Sequence, residues 1–295
     1  MKIKNIRKEE TGPRSRIAAT VLWEDCDRPS QEIFYETDAE FGDGLAADPH
    51  PFLVGGILPA LRNGERRLAI EGEVCPALAE GLRTATAWLR HWYYPPSTKP
   101  VQIEARTRDK ALRRAKKERA GFFFSGGIDA LATLRYNRLH VPSTHPLSLQ
   151  DGLLIYGQNI ESDNRPETFS EAVKALTAVA EDASITLIPV YTNVRALDED
   201  IVFFSNEFHG AIMGAVAHAL GTRLTSVAIG ASNDIPMLSL IGAQHMKPLG
   251  SHPLLDPWYS SAELSVRHEN LILSRLEKTR LVADWETAFQ HIKVC

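Results

Sequence analysis

The pattern of apolar and polar positions divides the chain into two regions of different character. In the first hundred residues, the pattern predicts strands over residues 17–24, 31–37 and 67–71, and helices over residues 51–61 and 75–92. We expect the first two strands to form a hairpin, because a polar turn joins them. A proline-containing segment, residues 96–100, then separates a smaller α+β domain, residues 1–100, from the rest of the chain.

From residue 121 onward, predicted strands and helices alternate. The strands cover residues 122–124, 153–156, 185–190 and 226–230, and the helices cover residues 129–139, 168–181 and 209–220. This alternation indicates an α/β fold in which helices cover both faces of a parallel sheet. We therefore predict a second domain over residues 121–295, with its ligands beyond the carboxyl ends of the strands.

Residues 101–120 form a basic linker or helix between the two domains. Residues 106–119 (RTRDKALRRAKKER) are expected to form a solvated helix face, and a polyanion-binding face, for example for tRNA, is the alternative. The formal net charge of −4 gives no support for broad affinity for nucleic acid or membranes. Nucleic acid is therefore a partner that we do not favour.

The chain carries no sign of export or membrane insertion. Residues 1–16 lack an apolar signal region, and no run approaches the ~20 apolar residues of a membrane span. Its three cysteines, Cys26, Cys75 and Cys295, are too few and too scattered for a disulfide framework or a zinc cluster. We expect a cytoplasmic protein without a membrane partner, and leave a homodimer open.

The most informative segment is residues 121–130 (GFFFSGGIDA), where an apolar strand turns through glycines into a helix. Such a turn presents free backbone N–H groups and a helix dipole, which favour phosphate. Gly126 and Gly127 keep side chains away from the backbone, and Ser125 adds a hydroxyl group. Asp129 beside a phosphate implies Mg²⁺ or a capping role. The alternative is a tight strand-to-helix turn without a ligand.

Polar residues follow the later strands as well. Asn193 and Arg195 come after the strand at 185–190, and Ser232 comes after the strand at 226–230. Arg195 could clamp a phosphate or carboxylate through two hydrogen bonds, and Ser232 could bond a base or ribose. Ordinary turn chemistry is the alternative for each residue. Their positions at successive strand ends favour a common site.

A second segment dense in polar groups covers residues 249–261 (LGSHPLLDPWYSS). Ser251, His252 and Asp256 lie on a path that two prolines make rigid, which is typical of active sites but also of a well-packed loop. His209, at the start of a helix of small residues, could donate to a ligand or merely cap the helix.

The motif at residues 125–130 resembles the SGGxDS signature of the PP-loop, or N-type, ATP pyrophosphatases. The order SGG-x-D, TN-x-R, HG, GSHPLLDP and R-x-E-K is similar to bacterial PP-loop proteins related to 7-cyano-7-deazaguanine synthase. This resemblance implies a Rossmann-like PP-loop domain that cleaves ATP between its α and β phosphates. It covers roughly residues 121–295.

The resemblance also assigns roles to residues. It implies that Ser125, Gly126, Gly127 and Asp129 hold pyrophosphate and Mg²⁺, that Lys278 is a second phosphate or substrate contact, and that Ser251, His252 and Asp256 line the substrate side. From their positions at strand ends we add Asn193 and Ser232 as nucleotide contacts, and from its position at a helix start His209 as a substrate contact. The candidate catalytic residues are Asp129, Arg195, Lys278 and His252, although Lys278 could instead pair with Glu277 and solvent.

Two departures from the family pattern are visible. Ala130 stands where the family usually has Ser or Thr, so that one hydrogen bond worth roughly 1.5–3 kcal/mol is lost. The chain ends at Cys295, where related proteins commonly continue into a cysteine-rich zinc segment, and we expect no zinc.

The predicted activity is ATP-dependent adenylation of a carboxylate or amide oxygen, followed by attack of ammonia or an amine. The acceptor would be a small molecule or a modified nucleobase. Glutamine-dependent chemistry is disfavoured because Lys2, not cysteine, follows Met1, and sulfur transfer because only Cys295 lies in the second domain. The alternative is a nucleotide-binding module, or a pseudo-enzyme, that acts with partner proteins.

Overall fold

The computed structural model describes residues 1–110, 117–157, 166–238 and 248–293. The strands in these ranges are β1 Lys2–Thr11, β2 Arg14–Leu22, β3 Gln31–Asp38, β4 Arg67–Val74, β5 Gln102–Thr107, β6 Ala120–Phe123, β7 Leu149–Tyr156, β8 Thr186–Thr192, β9 Ser226–Gly230 and β10 Ser265–Glu269. The α-helices of five or more residues in these ranges are α1 Pro49–Arg62, α2 Pro76–Tyr93, α3 Ile128–His140, α4 Pro166–Asp182, α5 His209–Ala219, α6 Arg275–Ala283 and α7 Glu286–Gln290. A π-helical turn at Phe204–Phe208 leads into α5.

All ten strands belong to one mixed sheet, in the order β10-β9-β6-β7-β8-β3-β2-β1-β4-β5. The five strands from β10 to β8 run parallel to their neighbours. Strand β3 joins β8 in antiparallel fashion and continues into the β1–β3 meander, while β4 and β5 run parallel to β1. The predicted α/β class is therefore confirmed. The domain boundaries at residues 100 and 120 stay predictions, and the sheet runs across them.

Each face of the parallel strands packs against its own set of helices. In β9, Val227 and Ile229 face the larger core, which also contains residues of α1, α2 and α5. The intervening Ala228 faces a smaller core formed with α3, α4 and α7. This alternation follows from the two-residue period of a strand, and it explains why the parallel strands read as continuous apolar runs.

Most predicted elements are confirmed. The hairpin forms as β2 and β3, and the helices and strands from residue 122 to 230 are present with ends shifted by a few residues. Three strands, β1, β5 and β10, were not predicted. Strand β1 is mostly charged and is held by its antiparallel pairing with β2, which apolar periodicity cannot reveal.

The interpretation of residues 106–119 as a solvated helix face is wrong at its start. Arg106 and Thr107 belong to β5, which pairs with β4. Arg108 is buried and forms ion pairs with the carboxylates of Asp48 at 2.6 Å and Glu263 at 3.2 Å. Its side chain therefore belongs to the protein interior and not to a solvated face. Residues 111–116 lie outside the described residues. Among the helices that the structure describes, none is both long enough and apolar enough to cross a membrane.

Candidate nucleotide-binding site

A cavity of about 900 Å³ lies beyond the carboxyl ends of the parallel strands. Phe123 at the end of β6, Ile155 in β7, Gly230 in β9 and His268 in β10 all contribute to its wall. The chain proceeds from β6 to β7 and β8 on one side, then to β9 and β10 on the other, so the cavity lies at the point where the strand order reverses. Ligands of open α/β sheets bind at this position, and the volume falls in the range of small-molecule sites.

The loop between β6 and α3 forms one end of the cavity. Gly126 has a φ of +78°, a conformation that glycine adopts without strain. Gly127 is the N-cap residue of α3, and no side chain caps this helix. A β-carbon at Gly127 would find only Ser125 Oγ within 4 Å, at 3.5 Å, so this position faces open space. The first N–H groups of α3 therefore have room for an anion in front of them.

Asp129, in the first turn of α3, is held by two cations from α6. Its carboxylate lies 3.2 Å from Nη1 of Arg275 and 3.3 Å from Nζ of Lys278. Lys278 is fully buried and also donates to the carbonyl oxygen of Ala231, just after β9. The alternative pairing of Lys278 with Glu277 is not formed, because Glu277 forms a capping box with Ser274. Lys278 thus joins α6, α3 and the end of β9.

The residues present fit Mg²⁺ only as a partner of bound phosphate. Among the described residues, no group of three or more His, Cys, Asp or Glu side chains could hold a metal ion. Mg²⁺ is commonly bound by one or two carboxylates together with phosphate oxygens and water. The single carboxylate of Asp129, in the first turn of α3 directly after the Ser125–Gly127 loop, suits this mode.

Another end of the cavity, lined by Ser251, His252 and His268, is built around Asp256, which is fully buried. Its Oδ2 accepts hydrogen bonds from Ser251 Oγ at 2.9 Å and from His268 Nδ1 at 2.6 Å, and its Oδ1 accepts from the backbone N–H of His252 at 3.3 Å. A β-carbon at Gly210 would lie 2.6 Å from Asp256 Oδ1, so glycine allows this loop to pack against α5. The structure thus brings Ser251, His252 and Asp256 together, as the sequence predicted.

Two further histidines contribute to this end. Burial lowers the pKa of His209, although Asp256 partly opposes the shift. Burial likewise lowers the pKa of His252, whose Nδ1 accepts the N–H of Leu254 at 3.1 Å. Both rings are therefore neutral at neutral pH and present polar, uncharged edges to the cavity, which both residues line. His209 does not cap α5, because the preceding π-helical turn continues directly into it.

Asn193 and Arg195 lie elsewhere. They line a second cavity of about 290 Å³ at the carboxyl ends of β7 and β8, apart from the Ser125–Gly127 loop. The side-chain amide of Asn193 is hydrogen-bonded to the backbone of β3. It accepts from the N–H of Phe34 at 2.9 Å and donates to the carbonyl of Glu32 at 2.8 Å. The guanidinium of Arg195 lies 4.1 Å from the ring centre of Phe204, which lines the main cavity. Ser232, by contrast, lines the main cavity as expected.

Three residues that were not among the predicted site residues contribute to the site. His268 escaped notice because β10 was not predicted. Arg275 and Lys278 are three residues apart on α6, a spacing that places both on one helix face and that could have identified Arg275. Lys293 lines the cavity, and its backbone N–H donates to the carbonyl of Gly126 at 2.9 Å, which supports the loop.

Comparison with family models, with curated proteins and with solved structures found no match for this chain.

Proposed function

We propose that this protein binds ATP with Mg²⁺ at the Ser125–Gly127 loop and transfers AMP to an oxygen atom of a small acceptor, releasing pyrophosphate. The observation that carries the proposal is the uncapped N-terminus of α3, which opens through two glycines into a cavity of about 900 Å³. A helix N-terminus of this kind stabilises phosphate through its N–H groups and its dipole.

The strand order supports this proposal. Counted from β6 as the first strand, the five parallel strands follow the order 3-2-1-4-5 of Rossmann-like nucleotide-binding sheets. The Ser125–Gly127 loop follows the first of these strands, the position at which such sheets bind phosphate. We propose on these grounds that the parallel half of the sheet is the PP-loop domain that the sequence motif implies.

The two ends of the cavity suit the two parts of the reaction. The loop and the α3 N-terminus would hold the β and γ phosphates, so that the α-phosphorus points toward the acceptor. Lys278 and Arg275 keep the carboxylate of Asp129 beside the loop. Bound Mg²⁺ would offset the charge that develops on pyrophosphate. The end formed by Ser251, His209 and His252 would then receive the acceptor.

In the first step the acceptor oxygen attacks the α-phosphorus, and the bond between the α-phosphorus and the bridging oxygen breaks. In the second step ammonia or an amine attacks the activated carbon, and AMP leaves. Positioning and fixed charge supply most of the catalysis in such transfers, since no covalent bond to the protein is required. The acceptor class remains a small carboxylate, an amide or a nucleobase-like lactam.

Gly127→Val tests the position of the nucleotide. Gly127 has a φ of −74° and a ψ of 163°, which valine adopts readily, and its side chain would project into the space in front of α3. We expect wild-type protein to gain thermal stability from Mg-ATP and Gly127→Val to gain none, at an unchanged melting temperature without ligand. Ser143→Val, in an exposed loop at the other end of α3, is the control. Equal stabilisation of Gly127→Val and wild type by Mg-ATP would refute the site.

A second candidate function is a nucleotide-binding module that acts without turnover. Ala130 favours it, because this buried residue lines the cavity where the motif usually supplies a hydroxyl. The two functions separate in one assay. Pyrophosphate release from ATP in the presence of acceptors indicates the enzyme, and binding of ATP without release indicates the module.

A further inference from the structure

The pair formed by His268 and Asp256 has the geometry of an oriented general base. Asp256 is fully buried, and the His268 side chain is only 6% exposed yet lines the cavity. The distance of 2.6 Å between His268 Nδ1 and Asp256 Oδ2 is that of a strong, charge-assisted hydrogen bond. Because Nδ1 donates its proton to the carboxylate, the proton-free nitrogen of the neutral ring is Nε2.

Asp256 is fixed in place by further donors. Its two oxygen atoms also accept from the Ser251 hydroxyl at 2.9 Å and the His252 N–H at 3.3 Å. The Ser251 hydroxyl thus points at the carboxylate and not at the imidazole, so the three residues lack the arrangement of a serine nucleophile with its base. The role left to this cluster is to hold one imidazole with a defined tautomer at the cavity wall.

The position of His268 adds to this argument. Strand β10 pairs with β9 in parallel, with His268 opposite Ile229. His268 therefore lies near the carboxyl ends of the parallel strands, where the β6–α3 loop also lies. Ile229 and Gly230 of β9 line the same cavity, and β9 lies between β10, which carries His268, and β6, which leads into the loop. A base two strands away from the loop would face the acceptor and not the phosphates.

We propose that His268 is the general base of the second step, and that Asp256 is the residue that positions it; this role rests on the proposed function. As the amine attacks the activated carbon, the C–N bond forms and the C–O bond to AMP breaks with its electron pair on AMP. One N–H proton of the amine passes to Nε2 of His268. Removal of that proton makes the addition irreversible, because the neutral nitrogen of the adduct could leave only as a strongly basic amide anion, whereas AMP leaves readily.

Nitrogen-15 NMR of the full chain labelled in histidine tests the tautomer without any substrate. We expect the neutral form of the His268 ring to carry its proton on Nδ1 and to leave Nε2 bare, and His268→Gln to assign the signal by its loss. In Asp256→Asn the amide can donate to Nδ1, so the proton should move to Nε2. If the neutral wild-type ring instead carried its proton on Nε2, the proposal would be overturned.

Diethyl pyrocarbonate, which acylates unprotonated imidazole nitrogens, tests whether Nε2 is open to the cavity. Mass spectrometry should show His268 modified about tenfold faster than the buried His218, whose Nε2 contacts the carbonyl of Tyr259 at 2.8 Å, with the exposed His145 as the reactive standard. Asp256→Asn should slow the modification of His268 by a similar factor. No modification of His268, or an equal rate in Asp256→Asn, would overturn the proposal.

Activity separates this inference from the proposed function. With an acceptor that supports pyrophosphate release, His268→Gln should retain exchange of pyrophosphate into ATP while the transfer to the amine falls by about 10²–10⁴. His145→Gln, which changes an exposed histidine that does not line the cavity, is the control. Loss of exchange and transfer together would contradict a role confined to the second step. Absence of nucleotide binding in the wild type would contradict the proposed function. The NMR result would then still test whether Asp256 holds His268 with Nε2 free of a proton.

Discussion

Lys278→Met should destabilise the protein more than Arg275→Gln, although both cations contact the same carboxylate. The Lys278 side chain is 1% exposed and the Arg275 side chain is 58% exposed. Lys278 donates to Asp129 Oδ1 and to the carbonyl of Ala231, and methionine supplies neither hydrogen bond. The substitution therefore leaves an unpaired carbonyl in the interior and a weaker hold on Asp129.

The size of the effect follows from burial. Hydrogen bonds to charged groups contribute about 1.5–3 kcal/mol each, and removal of one partner of a buried pair costs about 3–5 kcal/mol. Asp129 retains Arg275 and some contact with solvent, and methionine fills most of the lysine volume, so we expect a loss of about 3 kcal/mol. At roughly 2 °C per kcal/mol, the melting temperature should fall by about 6 °C. The exposed Arg275 pair should contribute about 0–1 kcal/mol.

Urea unfolding and thermal melting of the two variants, both without nucleotide, measure this difference. Equal losses in the two variants, or an unchanged melting temperature for Lys278→Met, would refute the interpretation of Lys278 as a structural link between α6, α3 and β9. The second result would favour a lysine that is free to contact phosphate, as the sequence motif implies.

Two further predictions concern the cavity and the interior. Ala130→Ser should tighten ATP binding by up to about tenfold in calorimetry, because a hydroxyl at this cavity-lining position adds one hydrogen bond; unchanged affinity would show that the hydroxyl has no partner. Burial lowers the pKa of His50 to about 3. Between about pH 6.5 and pH 3 the unfolded chain therefore binds a proton at His50 that the folded protein does not bind, so the free energy of unfolding should fall as the pH drops through this range. His50→Gln, whose side-chain oxygen can still accept the N–H of Cys75, should reduce this slope by up to about 1.4 kcal/mol per pH unit in urea titrations, and an identical slope would refute the assignment.

The parts of the fold that were predicted correctly are those with a strong local signal. The buried parallel strands β6, β7, β8 and β9 are apolar runs, and the glycine turn after β6 carries its own chemistry. Strand β1 lacks such a signal because it is mostly charged, and β5 and β10 lack it because each is stabilised by pairing with a strand more distant in sequence. For β5, all residues but Ile103 are exposed, so nothing in its composition distinguishes it from a polar linker.

The site shows the same division. Ser251, His252 and Asp256 lie within six residues of each other, so the sequence alone could group them. His268 joins them only because β10 aligns with β9. Asn193 does not reach the main cavity because β8 pairs with β3, and the Asn193 side-chain amide is hydrogen-bonded to the backbone of β3. These hydrogen bonds join residues about 160 positions apart in the sequence. Local chemistry therefore located the loop, and long-range strand pairing decided which polar groups share its cavity.

Chromatography of the nucleotide products tests the central proposal most directly. Wild-type protein with Mg-ATP and ammonium would be incubated with carboxylic acids, amides and nucleobase-like lactams, alongside Gly127→Val as the control. We expect AMP and pyrophosphate with at least one acceptor, and neither product from Gly127→Val. ADP and phosphate as the main products would contradict it, because a loop that holds the β and γ phosphates presents the α-phosphorus to the acceptor.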